Sequence, residues 1–261
     1  REHGARWTAE LGIEPRKRAV PGQVPQVLFR RGFPEEVELD VRELARVDLS
    51  QVPVRSLVVD GVSDANVVEL VARAAIPTLR SFGLRRAHLK PRSLRRLGEA
   101  ALVTGAAQLV FHHGGMNDAA ELAALALPAL RSLRLDDPHI RNLEVFARAR
   151  WLPQLRELSI RDTHGLGVWR LLRAKELTSL TKLVLEANLA DPTLAALASS
   201  ETLRELEHLE LVIGYLDRGA VAAFHRTTGF AKLKRLVVRG TLLDEARATL
   251  RERWGDKLSF V

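Results

Sequence analysis

Leu180-Thr-Lys-Leu183-Val-Leu185-Glu-Ala-Asn188-Leu-Ala-Asp191-Pro192 is the stretch whose reading decides the fold. Leu183 and Leu185 alternate with polar or small residues, which is the period of a half-buried strand. Asn188 stands where a side-chain amide satisfies backbone groups as the chain turns out of that strand. Asp191 reads as a helix N-cap and Pro192 as the first helical residue, a position whose N–H has no partner within the helix. Leu194, Leu197 and Ala198 continue at helical spacing. The segment is therefore a strand, a turn and a helix.

The same L-x-x-L-x-L register begins again at Val54, Leu79, Ala106, Leu130, Leu155, Leu206 and Leu233. With Leu180 this makes eight repeats, at steps of 25, 27, 24, 25, 25, 26 and 27 residues. Asp64, Asn117, Asp191, Asp217 and Asp244 fall 10 or 11 residues into their repeats, where each helix requires a cap. Strand period and cap agree in phase, and two independent local signals that agree specify a structure more firmly than either one. The expected helices run over 64–74, 91–103, 117–127, 142–150, 168–174, 191–199, 217–227 and 244–254. Residues 258–261 are expected to add a last strand.

These repeats resemble the leucine-rich repeat family from about Pro53 to the C-terminus, and the period with helices resembles its ribonuclease-inhibitor-like branch. The resemblance implies an α/β solenoid of horseshoe shape, with a parallel sheet on the concave face and helices on the convex face. Two departures stand out. Only the repeat at Leu180 carries the asparagine, and the repeat at Ala106, with Leu109 and Phe111, is degenerate.

The preceding residues 1–52 read as an N-terminal segment and cap, ahead of repeats that fill 53–261. Trp7, Leu11 and Ile13 followed by Pro15, Pro21 and Gly22 suggest a helix end and an irregular connection. Val24 to Arg30 and Phe33 to Leu39 flank Arg31-Gly32 as a hairpin, and Val41 to Val47 as a short helix. Such a cap covers the edge that the first strand of a solenoid otherwise exposes. The stretches at 3–7 and 29–34 also resemble a linker joining a companion domain to leucine-rich repeats in a myxobacteria-like bacterial group. The first residue is Arg1 rather than methionine, so the chain reads as a fragment or processed form.

Composition narrows the function classes. The chain has 46% hydrophobic and 28% charged residues and a mean hydropathy near zero, as an ordinary globular protein has. It contains no cysteine, which removes disulfides, thiol nucleophiles and thiolate metal sites and fits a cytoplasmic protein. No stretch approaches the roughly 20 apolar residues of a membrane helix. The net charge of +8 is unevenly spread. Residues 1–31 carry seven Lys/Arg against three Asp/Glu, and the remaining 230 carry 33 against 29. The repeats are thus nearly balanced, and a nucleic-acid partner is not expected.

Positions three, five and seven of each strand register point away from the core. The seventh reads Asp60, Arg85, His112, Asp136, Arg161, Glu186, Val212 and Arg239. The rows mix signs, lack a uniform basic stripe for phosphates and contain no aromatic residue on which a base could stack. Cross-strand neighbours such as Asp60/Arg85, Asp136/Arg161 and Arg161/Glu186 are expected to pair. His112-His113 near Asp136-Asp137 and Asp162 has metal-ligand chemistry, but successive strand residues face opposite ways, so no metal site is assigned. There is no G-x-S-x-G elbow, P-loop or H-E-x-x-H, and neither catalytic residues nor a cofactor are assigned. Trp151, Trp169, Trp254, Phe146, Phe224 and Phe230 are expected to fill the core between helices and sheet.

The expectation is a non-enzymatic scaffold that binds a protein partner through Arg85, Arg134, Asp136, Arg161, Glu186 and Arg239, on the sheet face or edge loops. The alternatives are a regulator of a small GTPase, by analogy of fold, or a sensing or recruiting module of a longer effector.

Overall fold

The structure, a computed structural model, describes residues 26–30, 33–50, 52–114, 119–138, 142–163, 167–187, 191–215, 218–227 and 229–261. The helix end near Trp7, the Arg31-Gly32 turn and Asn117, Asn188 and Asp217 lie outside these residues. Two compact units comprise residues 1–117 with 126–130, and residues 118–125 with 131–261.

In the N-terminal unit the strands β1 (Gln26–Arg30), β2 (Phe33–Asp40), β3 (Ser56–Asp60), β4 (Ser81–Arg85) and β5 (Gln108–Gly114) lie side by side in chain order. Strands β1 and β2 pair antiparallel, as the hairpin reading predicts, with a register slip between Leu28 and Phe29. The later strands are parallel because a helical crossover separates each from the next. Asp40 opens the short helix Val41–Leu44 with a reciprocal capping box: Glu43 accepts from the Asp40 N–H at 3.0 Å, and Asp40 accepts from the Arg42 N–H at 2.9 Å.

In the C-terminal unit β6 (Ser132–Pro138), β7 (Glu157–Thr163), β8 (Lys182–Ala187), β9 (His208–Tyr215), β10 (Arg235–Thr241) and β11 (Leu258–Phe260) follow the same rule. Strand β11 pairs parallel to β10, so the chain end does add a strand. Both units have the α/β leucine-rich-repeat architecture, with parallel strands on one side and helices or 3-10 turns on the other.

The leucines fix which face is inside. Leu183 and Leu185 stand in register with Leu158 and Ile160 on β7 and with Leu209 and Leu211 on β9, and all six are buried. Burying each such side chain contributes roughly 1.5–3 kcal/mol. A second device repeats with them. The carbonyl of the second residue of one repeat accepts two backbone N–H groups of the next. Arg156 O accepts from Thr181 N and Lys182 N at 2.8 and 3.0 Å, and Thr181 O accepts from Glu207 N and His208 N at 2.8 and 2.9 Å. Register is thereby set at the start of each strand, before any side chain meets its neighbour.

The helices are shorter than their sequence periods. The expected 91–103 helix breaks into Pro91–Leu97 and Ala101–Thr104 around Gly98, and 142–150 forms the 3-10 turn Leu143–Arg148. Asp64 does not cap its own helix, Val67–Val71, whose N-cap is Asn66. It instead accepts from Lys90 N at 2.9 Å, at the start of the next repeat's helix. The Ser93 hydroxyl and that N–H hold the Asp64 carboxyl below the usual carboxylate range. At Asp244 the helix starts on the aspartate itself, after the N-cap Leu243.

Five of the six aromatics fill the core, with Phe146 and Trp151 5.4 Å apart and the indole N–H of Trp151 donating to Leu122 O at 3.2 Å. Trp169 is the exception: it is half-buried, with the Arg170 and Arg173 guanidinium carbons 5.0 and 5.5 Å from its ring centre.

Candidate protein-interaction face

In the N-terminal unit the seventh-position row runs in register through Asp40, Asp60, Arg85 and His112. Pairing does not follow that row. Arg85 reaches across β3 to an ion pair with Glu38 on β2, while Asp60 is taken by Arg86, the residue just beyond β4. The Arg86 Nε–H donates to Asp60 Oδ1 at 2.8 Å, and its terminal nitrogen makes a second bond to the other oxygen. The expected Asp60/Arg85 pair is therefore replaced, for two geometric reasons. Gly83, two residues before Arg85 on β4 and in register with Val58, puts no side chain on the outer face, so Arg85 can lie over β3 toward Glu38. Arg86 adopts φ +48, which swings its side chain back over the strand end. At the equivalent place in the preceding repeat Gly61 has φ +73, and Arg86 adopts the same left-handed backbone without being glycine.

The Asp60 side chain is 0% exposed, whereas that of Arg86 is 56% exposed. Hydrogen bonding to Asp60 and the nearby carboxylates of Asp40 and Glu38 push the Arg86 guanidinium above its ordinary range. A buried carboxylate held in a bidentate fork is a structural ion pair with one solvent-facing partner. Sequence reasoning missed Arg86 and Glu38 because Arg86 stands just past its strand, at the eighth position, and Glu38 lies on β2, ahead of the eight repeats.

In the C-terminal unit Asp136, Arg161 and Glu186 share one row in register. Arg161 lies 3.8 Å from a carboxylate oxygen of each neighbour, as expected of the ladder. The shorter contact is along the strand: Arg134 Nε–H donates to both oxygens of Asp136 at 2.9 and 2.7 Å. Arg239 pairs diagonally with Glu210, at 3.0 Å. The ladder thus brings Arg134, Asp136, Arg161 and Glu186 together, and puts Arg239 with a residue the sequence did not single out. Arg161 Nε and Ser159 Oγ, two residues apart on β7, are shielded from solvent without a hydrogen-bond partner among the described residues.

Two outward valines, Val184 and Val237, are nonetheless only 4% and 2% exposed. Val58 and Val212, which also face outward, are half-buried, so the apolar content of the outer face is only partly removed from water.

The third-position row differs in character. Glu157, Lys182, His208 and Arg235 are in register across β7 to β10. Burial and the like charges of Arg235 and Lys182 lower the His208 imidazole below its ordinary range, against an opposing pull from Glu210 and Glu157. At near-neutral pH this histidine is a neutral donor and acceptor between two cations.

No group of three His, Asp or Glu stands close enough to hold a metal ion among the described residues. The side chains of His113, Asp137 and Asp162 lie outside them. No described helix is long and apolar enough to cross a membrane. A small recess of about 50 Å³ is lined by Leu44, Asp48, Ser50, Arg73 and Ile76, and Arg73 there donates to the carbonyls of Leu44 and Val47.

Known family models give no match to the chain, and neither do the curated proteins. Among solved structures the chain is similar to an internalin, InlF, from Listeria monocytogenes, with 19% identity and a TM-score of 0.47 over 81% of this chain. It spans 55% of the length of that protein. It is also similar to internalin C2 from the same organism, with 14% identity and a TM-score of 0.44, over 85% of this chain and 84% of that one. The fold assignment rests on the repeated strands and helices themselves.

Proposed function

We propose that the protein is a non-catalytic interaction module that holds a protein partner on the outer face of its sheet, with Arg85, Arg134, Asp136, Arg161, Glu186 and Arg239 supplying contacts. The observation that carries this reading is the registered ladder of charged side chains on β6 to β8, followed by the diagonal Arg239–Glu210 pair on β9 and β10. Adjacent strands lie about 4.8 Å apart, and mutual ion pairs already restrict the long side chains. Ordering such side chains on association costs about 0.5–1.5 kcal/mol each, and a face that has ordered them beforehand retains more of its contact energy. Mixed charge at fixed spacing selects a partner by complementarity more than it adds affinity.

Partner capture from a lysate of the source cell, on immobilised wild type and on Arg134→Glu/Arg161→Glu, tests it. Loss of a protein with the variant, while it still unfolds in one cooperative transition at a somewhat lower temperature, is the expected result. Equal capture by both would count against this face. We read the 24–27 residue period, with helices such as Arg218–Arg226 and Asp244–Trp254, as the ribonuclease-inhibitor-like form of the repeat, and the absence of cysteine as fitting a cytoplasmic setting.

A further inference from the structure

The cations on the outer face fall into two sets. Arg85, Arg86, Arg134, Arg161 and Arg239 each have a carboxylate partner within the same unit. Lys182 and Arg235 have none: among the described residues neither side chain makes a hydrogen bond or ion pair, and both are exposed. They stand on β8 and β10, with His208 on β9 in register between them. Glu210 is held by Arg239 at 3.0 Å, whereas Glu157, in register beside Lys182, is exposed, makes only a long contact with Ser132 Oγ at 3.4 Å and pairs with neither cation.

We propose that the row Lys182–His208–Arg235 docks an acidic, extended segment of a partner protein. This rests on the interaction reading above and narrows it to one row and one chemistry. Lys182 and Arg235 are about 10 Å apart at the backbone, two strand spacings, and carboxylates two to three residues apart in an extended chain are separated by about 7–10 Å. Two acidic side chains therefore reach both cations while the chain between them passes over His208. Nucleic acid is the poorer fit. A phosphate backbone demands a continuous basic track, whereas the basic row ends at Glu157 on β7, and the described outward side chains of β8 to β10 include no Phe, Tyr or Trp.

Protonation of His208 completes the row. The groups that face it are Lys182 on β8, Arg235 on β10, Glu210 on its own strand and Glu157 on β7. In the free protein burial, and after it the two cations, disfavour its charge. A bound carboxylate offsets them, so docking takes up a proton and tightens as pH falls.

The probe is a fluorescein-labelled peptide of alternating aspartate and glycine, titrated by anisotropy at about 50 mM salt, where surface charges are weakly screened. Measurements at about pH 7.5 and about pH 5 span the histidine range while the aspartates stay ionised. Wild type should bind about two- to fivefold tighter at the lower pH, the worth of one added exposed charge contact. Lys182→Glu/Arg235→Glu should lose at least about tenfold, and the neutral pair Lys182→Gln/Arg235→Gln should fall between. His208→Asn should keep the affinity at neutral pH and lose the acid gain. Unchanged binding by the neutral pair, an acid gain that survives His208→Asn, or tighter binding of an oligothymidylate through the same residues would overturn the proposal. Capture of the lysate partner separates the two readings. A partner lost with Arg134→Glu/Arg161→Glu but retained by Lys182→Glu/Arg235→Glu removes the row and leaves the interaction module standing.

Discussion

Removing Arg86 should destabilise the protein more than removing the carboxylate it holds. Asp60 has no solvent exposure, so Arg86→Ala leaves a buried charge without its fork, a change that typically costs about 3–5 kcal/mol. Truncating a half-exposed arginine also admits water to Asp60, which brings the expected loss below that range, to about 2–3 kcal/mol. Asp60→Ala leaves a guanidinium that is already 56% exposed and can turn to solvent, so the loss is that of an ordinary charged hydrogen-bonded pair, about 1.5–2 kcal/mol. The backbone supplies an internal control. At φ +48 a residue with a Cβ is strained by about 1–2 kcal/mol, so Arg86→Gly should be more stable than Arg86→Ala by about 1 kcal/mol. Urea unfolding at constant m reads all three, and the double variant Asp60→Ala/Arg86→Ala gives the coupling directly. If Arg86→Ala cost less than about 0.5 kcal/mol, or if glycine were no better than alanine, the buried-pair reasoning would be wrong.

Three further outcomes follow from the packing and the titrating groups. Leu183→Ala should cost about 2–5 kcal/mol in urea unfolding, because the residue is wholly buried between two in-register leucines and leaves a cavity. Asp64→Asn should lower the melting temperature at neutral pH, and the difference should vanish in acid: a depressed carboxyl stabilises the fold above the ordinary carboxylate range and loses that effect as pH falls through its folded value. His208 is depressed too, so the unfolded chain takes the proton first. Stability should therefore decline as pH drops below about 6.5, and the decline should be shallower in His208→Asn.

The sequence by itself determined the repeat. Hydrophobic period two identifies the strands, and its recurrence at 24–27 residues fixes how many there are and which residues share a row, because a parallel sheet built from equal repeats has little choice of register. Leu57 meets Phe82, Asp136 meets Arg161 and Arg161 meets Glu186 for that reason. Helix extents were less legible. Caps and period mark where a helix can start, but Pro91–Leu97 ends where Gly98 and the next turn permit, and Leu143–Arg148 tightens into a 3-10 turn.

Only the tertiary structure decided which charges are paired. Long side chains reach beyond their register neighbours, so Arg85 finds Glu38 two strands away, Arg134 finds Asp136 on its own strand, and Arg86 is swung onto Asp60 by a left-handed turn that a one-dimensional pattern does not report. Lys182 and Arg235 pair with no carboxylate among the described residues although Glu157 is in register beside Lys182, a property of three-dimensional neighbourhood and not of spacing along the chain.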